Sequence, residues 1–200
     1  MWKKVLTGGH FQGLQNSRLN KNRKVQLYIA ASLDGYIAGP GGDMSFLDLV
    51  AAEGEDYGYS EFISDVDTVI MGRKTYEWVM TQVEEFPHAD KKAYIITRTS
   101  RPSVGKTEFY SGNLSYLVTH LKSTDGRNIF VDGGAEIAGQ LLAAGLIDEI
   151  FISIIPVLLC GGTRLFNDGI PHTELEYIGS RHFDTGLVQI RYKVKLKSGN

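Results

Sequence analysis

The chain has 200 residues, 42% hydrophobic and 22% charged, with a formal net charge of −2. That composition supports a sizeable core, and the near-neutral balance argues against nucleic acid or an anionic membrane as a partner. Cys160 is the only cysteine, which excludes an intrachain disulfide or a cysteine-rich metal site and fits a reducing cytoplasm; no apolar run approaches the length of a membrane span.

Residues 1–23 are expected to be a flexible arm ahead of a domain over residues 24–198. Lys3, Lys4, Arg18 and Lys21 make the arm basic, and Gly8, Gly9, Gly13, Asn16 and Asn20 disfavour a regular element. It lacks the apolar stretch of a secretory signal.

Lys24 to Ser32 reads as the first strand, with Val25, Leu27 and Ile29 alternating before Ala30 and Ala31, which allow a close approach. Leu33 to Ala38 leads into Gly39-Pro40-Gly41-Gly42, either a mobile lid or a plain loop. Phe46, Leu47, Leu49 and Val50 then suggest a helix capped by Asp43 or Ser45, with Asp48 inside it. A second helical piece covers Tyr57 to Ile63. Asp65 to Met71 is a strand, and its run Val69-Ile70-Met71 has the pattern of one covered on both faces.

Gly72-Arg73-Lys74-Thr75 follows that strand at once, and a helix runs to Thr81. Glycine at a helix start admits a ligand to the backbone, the free N–H groups favour an anion, and an Arg adds a fork suited to phosphate. An ordinary strand-to-helix turn fits these four residues as well. Ala93 to Thr97 is a third strand, and Arg98-Thr99-Ser100-Arg101-Pro102 is either a solvated turn or a second phosphate site.

Thr107 to Tyr110 suggests a short strand, and Leu114 to Leu121 a helix with Leu114, Leu117, Val118 and Leu121 on one face. Asn128 to Asp132 is a buried strand running into Gly133-Gly134-Ala135-Glu136 and a helix that stops near Gly145. Strand, glycine pair, helix is the layout of a diphosphate site, although it is not the dinucleotide fingerprint of an ordinary Rossmann domain. Asp148 to Ile155 is apolar on both faces and ends at Pro156. Leu158 to Phe166 is a glycine turn in which Cys160 reads as a small buried residue, with a reactive thiol as the alternative. Thr173 to Phe183 and Leu187 to Leu196 form a hairpin about Asp184-Thr185-Gly186. Val188, Ile190, Tyr192, Val194 and Leu196 are expected on its packed face, with Gln189, Arg191, Lys193 and Lys195 wet, as at an antiparallel edge. The whole is an α/β domain with a mixed, mostly parallel central sheet flanked by helices and a C-terminal antiparallel hairpin.

In this order the pieces IAASLDGYIAG (Ile29 to Gly39), VIMGRKTYE (Val69 to Glu77), IITRTS (Ile95 to Ser100), VDGGAEIAGQLL (Val131 to Leu142) and GLIDEIFISIIPVLLCGGTRLF (Gly145 to Phe166) are similar to the dihydrofolate reductase fold. They resemble still more the reductase domain of the riboflavin-pathway deaminase-reductase, over residues 24 to 196. The resemblance implies a reductase taking hydride from NADPH. Gly72, Arg73 and Thr75, with Gly133, Gly134, Ala135 and Glu136, would hold the cofactor phosphates. Thr97, Arg98 and Thr99 would meet the 2′-phosphate, and Ala31 and Ile37 would border the nicotinamide. Leu33, Ser45 and Pro156 would line the substrate side. Asp34, facing the site in the riboflavin-type branch, and Asp48, near the carboxylate of dihydrofolate reductases, are the two candidate catalytic acids.

The zinc deaminase signature is absent, which leaves the substrate open among pterin-like and ribosylaminopyrimidine-like small molecules. Members of this branch pair, so a homodimer is expected. A non-catalytic small-molecule-binding domain on the same fold is the alternative.

Overall fold

The computed structural model describes residues 23–195. Strand β1 (Val25–Ser32) carries the apolar run at the start of the domain, and it is buried on both faces because it lies mid-sheet. The other strands are β2 (Tyr36–Ala38), β3 (Val66–Gly72), β4 (Lys92–Ile96), β5 (Arg101–Val104), β6 (Thr107–Tyr110), β7 (Asn128–Val131), β8 (Glu149–Ile155), β9 (Thr163–Arg164), β10 (Leu175–His182) and β11 (Val188–Val194). Nine of them form one sheet in the order β10-β11-β8-β1-β7-β3-β4-β6-β5, and β2 pairs with β9 as a separate ribbon. From β8 to β6 all pairings are parallel; β5 at one end and the β11–β10 hairpin at the other are antiparallel.

Alternation along the strands divides the core into two faces. Helices α1 (Tyr59–Ser64) and α2 (Arg73–Gln82) cover Tyr28, Val69, Met71, Ile95 and Phe130. Helices α3 (Leu114–Ser123) and α4 (Ala135–Ala143) cover Val25, Leu27, Ile70, Ile129 and Val131. Asn113 caps α3, its side-chain oxygen accepting from the Tyr116 N–H at 2.8 Å. Such caps contribute about 1 kcal/mol.

Several expectations are corrected. The helix expected after the glycine loop is a 3-10 segment, Ser45–Val50, set against Ala30 and Ile155 by Phe46, Leu47 and Val50. The close approach at Ala30 is therefore made by the chain itself. Asp43 starts this segment: its carboxylate accepts from the Ser45 N–H and hydroxyl, both at 2.9 Å. The polar residues after Arg98 do not all form a turn, because Arg101–Val104 pairs with β6 as the edge strand β5. The hairpin's wet face is not wholly wet. Gln189 is buried because its face packs on Tyr28 and Tyr57: its Nε2 donates to the Tyr28 hydroxyl at 2.9 Å, to Ser153 Oγ at 3.1 Å and to the Tyr57 carbonyl at 3.3 Å, while Val188 is exposed. Cys160 is exposed rather than buried, in left-handed backbone at φ 56°.

Arg23, assigned to the arm, is buried in the domain. Its guanidinium donates to Asp67, to Thr68 Oγ1 at 2.7 Å and to the Arg127 carbonyl at 2.7 Å. The rest of the expected arm and Leu196 lie outside the described residues.

Candidate functional site

Strand β7 inserts between β1 and β3, although β3 precedes it in the chain. Two strand-to-helix turns become neighbours as a result. Helix α2 begins after Gly72 at the end of β3, and α4 begins after Gly134, just past the end of β7. The ladder continues past both strand ends: the Asp132 N–H donates to the Ile70 carbonyl at 2.9 Å and the Gly72 N–H to the Gly133 carbonyl at 3.4 Å. Gly133 and Gly134 have φ of +88° and +87°, a region that side chains disfavour. A Cβ added at Gly134 would stand 3.7 Å from Thr75 Oγ1 and 4.0 Å from the Gly72 Cα. Gly72, Thr75, Gly133, Gly134 and Ala135 therefore meet in one place, where two helix N-termini open side by side at the carboxyl ends of parallel strands. That is where an open α/β sheet binds an anionic ligand.

Beside them, the turn after β4 is tied to the end of β6 and to itself: the Thr97 N–H donates to the Tyr110 carbonyl at 3.0 Å and the Thr99 N–H to Thr97 Oγ1 at 3.2 Å. Arg98 extends into solvent, its side chain 96% exposed, with Glu136 Oε1 3.7 Å away at the start of α4. Arg73 donates to Glu77 Oε2 at 2.5 Å, and Arg101 donates to Glu77 Oε1 at 3.3 Å. Glu77 is not among the expected site residues, and Arg101 was expected only within the polar stretch after β4 that could hold a second phosphate. The four-residue spacing from Arg73 to Glu77 on a helix was the available signal for the first.

On the other side, the Asp34 carboxylate ties two turns together. It accepts from Ser32 Oγ at 2.6 Å, from the Leu159 N–H at 3.1 Å and from the Cys160 N–H at 2.7 Å. The Ser32 hydroxyl, followed by the Cys160 and Leu159 amides, lowers its pKa from the ordinary 3.8 to about 2. A carboxylate held this way is an anchor and a poor proton donor. The ribbon of β2 and β9 lies beyond it, with the Arg164 guanidinium 4.9 Å from the centre of the Tyr36 ring.

Asp48 is exposed on the 3-10 segment, so the desolvated setting expected for a proton-relaying carboxyl is not built around it. Ala31 is fully buried, and Ile37 packs against the core on the α3–α4 face. Leu33 is exposed at the carboxyl end of β1, Ser45 is engaged by Asp43, and Pro156 lies against Gly186 of the hairpin turn. Among the described residues no cluster of His, Cys, Asp and Glu is arranged to hold a metal, and no helix is long and apolar enough to cross a membrane.

Residues 23–189 match the RibD C-terminal domain family. The chain belongs to that family. Within Bacillus subtilis it is 40% identical over 173 residues to the uncharacterized protein YwjB, covering 85% of this chain and 97% of YwjB. It is 30% identical over 183 residues to the uncharacterized YyaP, covering 86% and 95%. Among solved structures, a protein from Shewanella sp. PV-4 assigned to riboflavin biosynthesis superposes with a TM-score of 0.78 at 29% identity, covering 86% of this chain and 99% of that one. The bifunctional diaminohydroxyphosphoribosylaminopyrimidine deaminase/5-amino-6-(5-phosphoribosylamino)uracil reductase of Thermotoga maritima shares the fold, with a TM-score of 0.65 at 15% identity. The match covers 88% of this chain and 57% of the bifunctional one. The mixed α/β architecture is thus that of RibD C-terminal, dihydrofolate reductase-like domains.

Proposed function

We propose that this chain is a cytoplasmic NADPH-dependent reductase of a pterin-like or ribosylaminopyrimidine-like heterocycle. The observation that carries the reading is the pair of adjacent helix starts after Gly72 and Gly134, joined by the Gly72–Gly133 backbone contact with Thr75 alongside. Their N–H groups and dipoles suit a diphosphate, and a dinucleotide fits because arginines stand on the flanking elements at Arg73, Arg98 and Arg101. When bound, the nicotinamide would supply the hydride. The residues of this chain would orient it: Gly72, Arg73, Thr75 and Gly133 to Glu136 toward the phosphates, Thr97 to Thr99 toward the ribose phosphate, and Ala31 and Ile37 toward the ring. Leu33, Ser45 and Pro156 remain assigned to the substrate side. The reductase activity named for the Thermotoga protein, and the assignment of the Shewanella protein to riboflavin biosynthesis, support the reaction class.

One observation favours the non-catalytic alternative. Asp34, the carboxyl expected to face the site, is held as an ionised anchor by the Ser32 hydroxyl and the Cys160 and Leu159 amides rather than as a proton donor.

Titration with NADPH and, separately, NADH, followed by nicotinamide fluorescence, tests the cofactor. Salt-sensitive NADPH binding that weakens in Arg73→Ala or Arg98→Ala is expected; binding of neither nucleotide would end the reductase reading. Turnover of a ribosylaminopyrimidine or dihydropterin panel then separates a reductase from a silent binder.

A further inference from the structure

Glu77 lies one turn into α2, and each of its carboxylate oxygens takes a different guanidinium. Arg73, the first residue of α2, donates to Oε2 at 2.5 Å; Arg101, the first residue of β5, donates to Oε1 at 3.3 Å. The two arginines thus converge on one anion from separate elements. Arg101 is held for this role by an aromatic stack: its guanidinium carbon is 5.7 Å from the Phe109 ring centre, and Phe109 meets Tyr76 edge-on at 5.5 Å. The cluster also lowers the Glu77 pKa, through the Arg73 hydrogen bond first, which keeps the carboxylate charged.

The two-arginine site joins the first turn of α2, directly after Gly72, to Arg101, which follows the Thr97–Ser100 turn assigned above to the ribose phosphate. All three side chains are about two-fifths exposed, at 39%, 41% and 42%, so a solute anion can reach them. A carboxylate and a phosphate monoester make the same demand of a guanidinium fork, with two oxygens placed for paired N–H donors. The phosphate carries more charge and more acceptors.

Resting on the NADPH reading above, we propose that Glu77 is a resident counter-anion that occupies the Arg73–Arg101 pair until the 2′-phosphate of the cofactor displaces it, and so limits the preference for NADPH over NADH. Arg98 and Glu136, 3.7 Å apart at the neighbouring edge, repeat the arrangement more loosely. The phosphate therefore gains only the difference between its own interaction with the arginines and that of a carboxylate already in place.

The test is calorimetric titration of the wild-type chain, Glu77→Gln and Glu77→Leu with NADPH, NADH, adenosine 2′-phosphate and adenosine 5′-phosphate. Both variants remove the charge; only the first keeps a polar contact to the arginines. Affinity for NADPH and for adenosine 2′-phosphate should rise about 3- to 10-fold in both. NADH and adenosine 5′-phosphate should change less than about 2-fold, and the gain should shrink at high salt. Weaker NADPH binding in Glu77→Gln would show that Glu77 merely positions the arginines and would overturn the proposal, with the NADPH reading intact. An equal change for NADH and NADPH would do the same. Absence of NADPH and NADH binding in the wild type would instead remove the cofactor reading itself.

Discussion

His88 Nε2 lies 2.9 Å from Asp132 Oδ2, directly beneath the glycine pair that opens α4. The His88 ring is 1% exposed and packed edge-on to Phe86 and Phe130, with centroids 5.3 and 5.8 Å away. The loop between α2 and β4 thereby pins the last residue of the Asn128–Asp132 segment. His88→Ala should cost about 2–4 kcal/mol, combining an apolar void with the loss of a hydrogen bond to a carboxylate. Urea denaturation followed by circular dichroism measures it; a change below about 0.5 kcal/mol, the level of an ordinary surface substitution, would show that the contact is incidental.

The Asp34 anchor should make stability depend on acid. Its pKa falls from the ordinary 3.8 to about 2 on folding. The folded state therefore binds the proton less readily than the unfolded one. The contribution is complete above about pH 4 and disappears as pH drops through about 2. Asp34→Asn should flatten the stability profile in that window and loosen residues 33–38 and 157–160 together, seen as faster hydrogen exchange in both. A pH–rate profile of any turnover should show no limb from Asp34 above pH 5. Finding one there would contradict its role as an ionised anchor.

The ribbon of β2 and β9 depends on Gly162. Its φ is +113°, and a Cβ there would lie 2.1 Å from the Ala38 carbonyl oxygen and 2.6 Å from the Gly39 carbonyl carbon. Backbone cannot yield as a flexible side chain can. Gly162→Ala should destabilise by on the order of 3 kcal/mol or more, or displace the ribbon and the Asp34 anchor with it. Thermal melting and hydrogen exchange across residues 33–42 would report either result. Wild-type behaviour in both would refute the tight approach.

The outer edge of β10 has no strand partner among the described residues, and Leu175, Tyr177 and Ile178 are exposed along it. A long apolar edge of this kind favours pairing with another strand. The family resemblance implies pairing without naming a surface; we propose that a second copy of the chain covers this edge. Sedimentation equilibrium should give a dimer for the wild type and a shift toward monomer for Ile178→Lys. A wild type that stays monomeric across the whole concentration series would rule this out.

How much could be read in advance depended on the range of the interaction. Val69-Ile70-Met71 before Gly72, and Ile129-Phe130-Val131 before Asp132-Gly133, announce buried strands ending in glycine turns, because a strand covered on both faces must be apolar throughout. The 3-10 segment at Ser45–Val50 did not reveal itself, since its apolar spacing also suits an α-helix. Strand β5 was hidden for the opposite reason: all four of its residues are exposed, so it has no alternation to detect. Cys160 departs from expectation because cysteine as a residue type favours burial, whereas its exposed left-handed conformation accompanies the Asp34 contact to its N–H.

The sequence by itself determined the alternation of strands and helices, the apolar core and the position of glycines immediately after two strands. These follow from local periodicity and backbone preference. Tertiary structure alone decided that β7 enters between β1 and β3, bringing Gly133 to Gly72, that Asp34 is consumed by the Leu159 and Cys160 amides, and that Glu77 captures Arg101 as well as Arg73. Each joins residues distant in the chain. Such partners are chosen by strand order and register across the whole sheet, which no local pattern specifies.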